Sequence, residues 1–231
     1  MASFGLAKES KLGSNDDTKM TQKALSKIFW LAVILLSTYY FYRGIRFRFF
    51  VEGIGETFWN KQFWYVFHIT TAVAPLVLGP FQFWKWFRTN HLKWHRLLGK
   101  IYIIGSLFGG IAAFYLGVIT MSLEGSRLPL FFLSTLWLFM TSAAWITIKR
   151  KNVKAHRLFM IRSYVLAMVF VILRIMGDIP SDILFFYIKS SEMRDATLEW
   201  LSWVLPLLVT EFWISWIPLM KTNSKVIVPK Q

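Results

Sequence analysis

Four histidines, two arginines inside apolar stretches and one isolated glutamate are the residues of this chain best placed to do chemistry. His95 and His156 stand in similar settings: Lys93-Trp94-His95-Arg96-Leu97, with Tyr102 seven residues on, and Lys154-Ala155-His156-Arg157-Leu158, with Tyr164 eight residues on. Each histidine opens an apolar run. Neutral imidazole is a common axial ligand for haem iron, and two histidines at one depth on facing helices would form a bis-histidine site. Gly99 and Tyr102 share the helical face of His95, and a glycine there lets a flat macrocycle approach the backbone. Met160 and Ser163 share the face of His156 in the same way. Arg96, Arg157 and Arg162 are suited to hold propionates, because guanidinium pairs well with carboxylate. A second chemistry fits the same residues, since histidine-arginine pairs at a helix start also hold anionic lipid headgroups.

Arg162 and Arg174 fall within the fifth apolar run, where a charge is costly unless paired or facing a polar cavity. Asp178, one turn after Arg174, is its natural local partner. Arg162 has no acid in its own helix, so an external anion or backbone carbonyls are expected to satisfy it. Glu211, the one acid well inside a run, is either a proton-handling carboxylate or an ion-pair partner. Gly79-Pro80-Phe81-Gln82-Phe83-Trp84 predicts a kink that frees backbone carbonyls, with Gln82 offering polar groups beside the two histidine junctions. His68 lies nearer the opposite face, and His91 falls in a basic loop. Cysteine is absent, which excludes disulfides and thiol chemistry. No Gly-rich phosphate loop, serine-nucleophile motif or HExxH is present.

These residues are carried by apolar runs at about 28–47, 63–87, 97–121, 128–148, 158–177 and 197–220. Each is long enough to cross a hydrocarbon core of about 30 Å. With 55% hydrophobic and 18% aromatic residues, the expected fold class is all-α. It is a polytopic membrane protein, a single bundle of about six transmembrane helices over 28–220, between a polar, disordered cytoplasmic tail at 1–27 and a C-terminal tail at 221–231. Six spans place 19 of the 27 Lys and Arg on one side, predicting that both termini are cytoplasmic. The net charge of +15 therefore flanks the runs and forms no nucleic-acid stripe. Trp59, Trp64, Trp84, Trp86, Trp94, Trp200 and Trp203 are expected in interfacial belts. Ile183-Leu184-Phe185-Phe186-Tyr187-Ile188, too short to span, is expected to lie as an interfacial helix on the outer side or to cap the bundle. The two histidine junctions open the second helices of two hairpins, as a duplicated hairpin about a pseudo-two-fold axis would have them.

Taken together, His68, Gly79-Pro80-Phe81-Gln82, His95-Arg96-x-x-Gly99-x-x-Tyr102, His156-Arg157-x-x-Met160-Ile161-Arg162-Ser163-Tyr164 and the following Arg174 resemble a family of predicted bacterial membrane proteins. That family is grouped as a domain of unknown function (number 2306), and the resemblance covers about residues 63–177. Phe159 stands where members often carry Trp. The resemblance implies a multi-pass protein of the bacterial inner (cytoplasmic) membrane and no stated activity. The arrangement is also distantly similar to small b-type transmembrane cytochromes. Those use four helix histidines in two layers, whereas span four here has none, so one haem b is the most that fits. The expected function is a cytoplasmic-side His/Arg site for b-type haem or quinone-linked electron transfer. Any enzyme activity would be that of an oxidoreductase or electron-transfer component. The alternatives are an accessory subunit or lipid-binding scaffold of a larger complex, and a small-anion carrier using Arg162 and Arg174. Expected partners are the bilayer, anionic phospholipids, and membrane proteins or a second copy, with no nucleic acid.

Overall fold

The protein is described by a computed structural model that covers residues 3–46, 62–120 and 124–221. Trp59 of the expected belt, Arg48 and the tail from residue 222 lie outside the described residues. Every element among the described residues is helical. The chain runs through α1 (Ser3–Arg46), α2 (Phe63–Phe83), α3 (Lys85–Asn90), α4 (Leu92–Tyr115), α5 (Glu124–Lys149), α6 (Val153–Ala167), α7 (Val169–Gly177), α8 (Ser181–Leu184), α9 (Ser191–Glu211) and α10 (Ile217–Lys221). Among the described residues, five stretches are long and apolar enough to cross a membrane: Phe63–Phe83, Leu92–Val118, Gly125–Lys149, Val153–Gly177 and Ser191–Met220. They coincide with the second to sixth apolar runs.

Polarity within the bundle is inverted relative to a soluble protein. Along α4, Leu97, Ile101, Ile104, Phe108 and Ile111 are exposed, while Tyr102, Gly105, Ser106, Gly109 and Gly110 are buried. Large apolar side chains facing out and small residues facing in are what a lipid solvent selects. Lipid tails give no hydrophobic drive between helices, so close van der Waals packing must hold them together. A Cβ on Gly105 would stand 2.8 Å from the Thr71 carbonyl oxygen, and one on Gly110 would stand 2.7 Å from Leu138 Cδ2. The glycine face of α4 thus admits α2 on one side and α5 on the other.

The two most extensive interfaces are α2 with α4 and α5 with α6, which makes two hairpins. The second closes in a very short turn. Lys151 adopts φ 60°, and the Asn152 side chain caps α6 by accepting from the Ala155 N–H at 3.0 Å. The basic loops at the α2–α4 and α5–α6 turns share one end of the bundle, called here the basic end. The part of α1 from Trp30 to Gly44 runs antiparallel to α2. Its Trp30 stacks on Phe83 near the basic end, and Gly44 approaches Ile69 and Tyr65 toward the far end. Trp30, Val33, Ser37 and Tyr40 form its inward stripe.

Three features differ from the sequence expectations. Residues 3–27 are helical, continuous with the apolar part of α1, instead of disordered. Extending an established helix fixes one residue per new hydrogen bond, whereas starting one is costly. Trp203 is not interfacial: it is 8% exposed and packs in the core with Trp137 and Trp200. Of the two readings of 183–188, the helical one is not met. The segment continues the single turn of α8 into turns, with Phe185 buried and Ile183, Phe186 and Tyr187 exposed, and Arg194 donates to the Ile188 carbonyl at 2.8 Å. The fifth span is also interrupted at Met168, between α6 and α7. Leu166, Ala167, Val169 and Val171 are all buried there, and one regular helical face cannot present all four to one neighbour.

Gly79 is the tightest of these approaches, since any Cβ there overlaps the Tyr164 ring, itself buried. Gly79→Ala is expected to lower stability in detergent by about 1–3 kcal/mol, measured by thermal unfolding. In a Tyr164→Ala background the same substitution should cost almost nothing. Equal losses in both backgrounds would show that Tyr164 is not what excludes a side chain.

Candidate functional site

At the basic end, the first turns of α4 and α6 bring His95 and His156 within electrostatic reach of each other. His156 Nδ1 lies 2.8 Å from the Ala144 carbonyl oxygen. A carbonyl can only accept, so Nδ1 carries the hydrogen and Nε2 is the bare nitrogen. His95 has no such anchor: its Nδ1 is buried without a partner among the described residues. Gln82, 6% exposed, likewise leaves its Nε2 unpaired, and its Oε1 lies 3.1 Å from where a Gly99 Cβ would stand. Gln82, and no open slot, therefore occupies the glycine face that the haem reading reserved for a macrocycle. Tyr102 is completely buried, its hydroxyl 3.2 Å from Ser163 Oγ, which in turn lies 2.8 Å from Thr141 Oγ1. Arg96 and Arg157 are exposed at this end and face away from the packed interior.

Arg162 turns to α9. Its Nε donates to Glu211 Oε1, its Nη2 to Glu211 Oε2 at 2.8 Å and to Ser215 Oγ at 3.1 Å, and Ser215 donates to Glu211 Oε2 at 2.9 Å. The side chains are 15% and 24% exposed. The bidentate geometry answers the question about Glu211: it is the counter-ion of Arg162, and neither an external anion nor backbone carbonyls are needed. A π turn over Phe212–Trp216 directly follows Glu211, placing Ser215 one turn beyond it.

The expected Arg174–Asp178 pair does not form. Asp178 accepts from Tyr40 at 2.8 Å and from Arg43 at 2.7 Å, which ties α1 to the end of α7. Arg174 donates to the Tyr65 hydroxyl at 3.3 Å and lies over the Phe170 ring. Direction decides this: Arg174 lies on the face of α7 toward α2, and Asp178 follows the helix end, toward α1.

The far half of the bundle holds a cavity of 860 Å³ between α2, α4, α5, α7 and α9. Its floor is apolar, built from Ala72, Trp137, Leu166 and Ala167, and its rim carries Tyr65, Arg174 and Asp195. His68 belongs to its wall. Nδ1 of His68 lies 2.8 Å from the Gly109 carbonyl oxygen, so here too Nδ1 carries the hydrogen and Nε2 is the acceptor. Opposite, the half-buried Glu199 is hydrogen-bonded by Ser126 and keeps Oε2 buried without a partner among the described residues. Trp137 Nε1 is similarly unpaired. Sequence reasoning passed over Glu199 because the apolar run starts at about 197. The helix starts at Ser191, which carries Glu199 two turns inside it.

Two predictions test these ionic contacts. Removing one member of the Arg162–Glu211 pair leaves the other partly buried and unpaired, so Arg162→Leu and Glu211→Leu should each cost about 3–5 kcal/mol in a thermal melt. The double variant should recover most of the loss, and additive losses would mean the pair is not coupled. For Asp178, the bonds from Arg43 and Tyr40 hold the carboxyl below its ordinary range. A depressed carboxyl contributes stability that is full above its ordinary pKa of about 4 and is lost as pH falls through the depressed value. The melting difference between the parent protein and Asp178→Asn should therefore be present at neutral pH and shrink on acidification below about 4. A difference constant with pH would remove the linkage.

Neither a curated protein nor a solved structure matches the chain. One family model does, over residues 65–214, and its description is "predicted membrane protein (DUF2306)". The match takes in α2 to α9, with both hairpins, His68, the two basic-end histidines and the Arg162–Glu211 pair. With its inverted polarity and, among the described residues, five helices long and apolar enough to span, the chain belongs to this family of multi-pass membrane proteins of unknown function.

Proposed function

We propose that the protein is the quinone-binding component of a membrane electron-transfer system, with the headgroup of an isoprenoid hydroquinone seated in the far-half cavity. The observation that carries this reading is one chamber lined by His68 and Glu199 around an apolar floor, with His68 Nδ1 tied to the Gly109 carbonyl and Nε2 left as its acceptor. A hydroquinone presents two O–H donors on a flat apolar ring, and a buried acceptor left unpaired is costly. The indole N–H of Trp137 suits a quinone oxygen, and Arg174 at the rim favours an anionic form of the ring. Few ligands match both the polar and the apolar parts of such a site.

The basic end, with exposed Arg96, Arg157, Trp84, Trp86 and Trp94, faces the cytoplasm and anionic lipid headgroups in this reading. α1 then supplies a sixth span, since residues 28–46 run alongside α2 from one end to the other, and the chain resides in a bacterial cytoplasmic membrane. Haem b is a second reading. His156 ties Nδ1 to the Ala144 carbonyl of the adjacent helix, the posture in which metal-ligating histidines are held, and lies within electrostatic reach of His95.

Quinol binding to the detergent-purified protein, followed by quenching of tryptophan fluorescence, tests the first reading. His68→Ala and Glu199→Gln should each weaken binding about tenfold, the loss of one hydrogen bond to a buried partner. Unchanged affinity in both variants would end the proposal. An absorption spectrum of the same preparation decides the second. A stoichiometric b-type band lost in His95→Ala and His156→Ala would replace the quinone reading by the haem one, and a colourless folded protein would remove haem.

A further inference from the structure

One face of α4 alternates polar side chains with glycines. His95, Gly99, Tyr102, Ser106 and Gly109 follow one another at intervals of four, three, four and three residues, so they share a side of the helix. The stripe covers about 21 Å at 1.5 Å per residue. At its lower end are two polar atoms with no partner among the described residues, His95 Nδ1 and Gln82 Nε2. In its middle, Tyr102, Ser163 and Thr141 form a chain of hydroxyls with no exposure to solvent, and Ser106 is buried one turn above Tyr102. At its upper end the Gly109 carbonyl holds the cavity histidine.

The hydroxyl chain lies directly beneath the cavity. Leu166 and Ala167 of the floor are three and four residues after Ser163, and Trp137 is one turn before Thr141. Buried donors and acceptors in a lipid-embedded interior are costly unless paired, and two of them stand unpaired at the lower end among the described residues.

We propose that this stripe is a proton path linking the basic-end surface to the far-half cavity. A proton arriving from the cavity is taken by Thr141 Oγ1, which gives its own hydrogen to Ser163. Ser163 passes one to Tyr102, and Tyr102 passes one through water beside Gln82 to His95. Each hydroxyl accepts one proton and releases one, so no group in the interior keeps a charge, and the transfer runs equally in reverse. The imidazole at the end of the path is half-buried and exchanges its proton with water at the basic end. The path rests on the cavity being where protons are taken up or released, as quinol binding there would make it. It does not depend on the identity of the ligand.

The competing account is that the hydroxyls are packing glue between α4, α5 and α6. Proton entry into reconstituted vesicles distinguishes the two, driven by a potassium gradient with valinomycin and read by a trapped pH dye. The parent protein should admit protons faster than empty vesicles. Tyr102→Phe, which removes one oxygen and keeps the ring, should slow that entry about tenfold, the equivalent of one lost hydrogen-bonded link. Thr141→Val is the second variant should Tyr102→Phe not fold. Quinol affinity, measured on the same proteins, should be unchanged. Entry no faster than in empty vesicles overturns the path. So does a flux equal to the parent's in both variants accompanied by lower melting temperatures, which assigns the hydroxyls to packing. Normal flux that falls in Tyr102→Phe, with no quinol binding at all, supports the path and rejects the quinone reading alone.

Discussion

Close approach at the glycine face of α4 is the constraint on which the rest of the structure depends. Gly105, Gly109 and Gly110 let α2 and α5 come within reach of the α4 backbone. That proximity presents the Gly109 carbonyl to His68 and fixes the tautomer of the ring. A side chain at any of these glycines would push the neighbouring helices apart, and the histidine would lose its anchor along with the packing. In water, apolar burial could compensate for a loose helix pair. In lipid it cannot, so geometry carries the stability.

The same packing divides the bundle into a dense half and a hollow half. Toward the basic end, Tyr102, Met160 and Tyr164 fill the space between α4 and α6, and Trp30 and Phe83 pack against them. Toward the far end, the interruption at Met168 and the separation of α9 from α2 leave the cavity. Charges follow this division. The basic end holds its one buried guanidinium with a two-oxygen clamp from α9, whereas the far end places Arg174 at a rim and Asp178 in a clasp with α1.

The spans were legible because length and apolar content are all that crossing a bilayer demands, and α2, α4, α5, α6–α7 and α9 coincide with their runs. The proximity of His95 and His156 was legible too, because both open helices that start at the same end. What sequence could not supply was rotation about each helix axis. Arg162 turns toward α9 and not toward the histidines, and Arg174 turns away from an acid only four residues on. Gly105-x-x-x-Gly109 was a readable signal of close packing that the search for chemistry passed over. Glu199 was missed for a different reason: polar residues at the start of a helix blur its boundary, so an acid two turns inside α9 stood at the very edge of its apolar run.

The Arg162–Glu211 clamp also bears on how the chain is made. α6 leaves the ribosome well before α9, and until α9 arrives its arginine has no counter-charge. Its position nine residues after Val153, the start of α6, lets the long side chain extend toward the headgroup layer while it waits. Completion of the last helix then draws the guanidinium inward. A chain truncated before Glu211 would retain an unneutralised cation at the bilayer edge, a mark by which membrane proteases and chaperones could tell unfinished copies from finished ones.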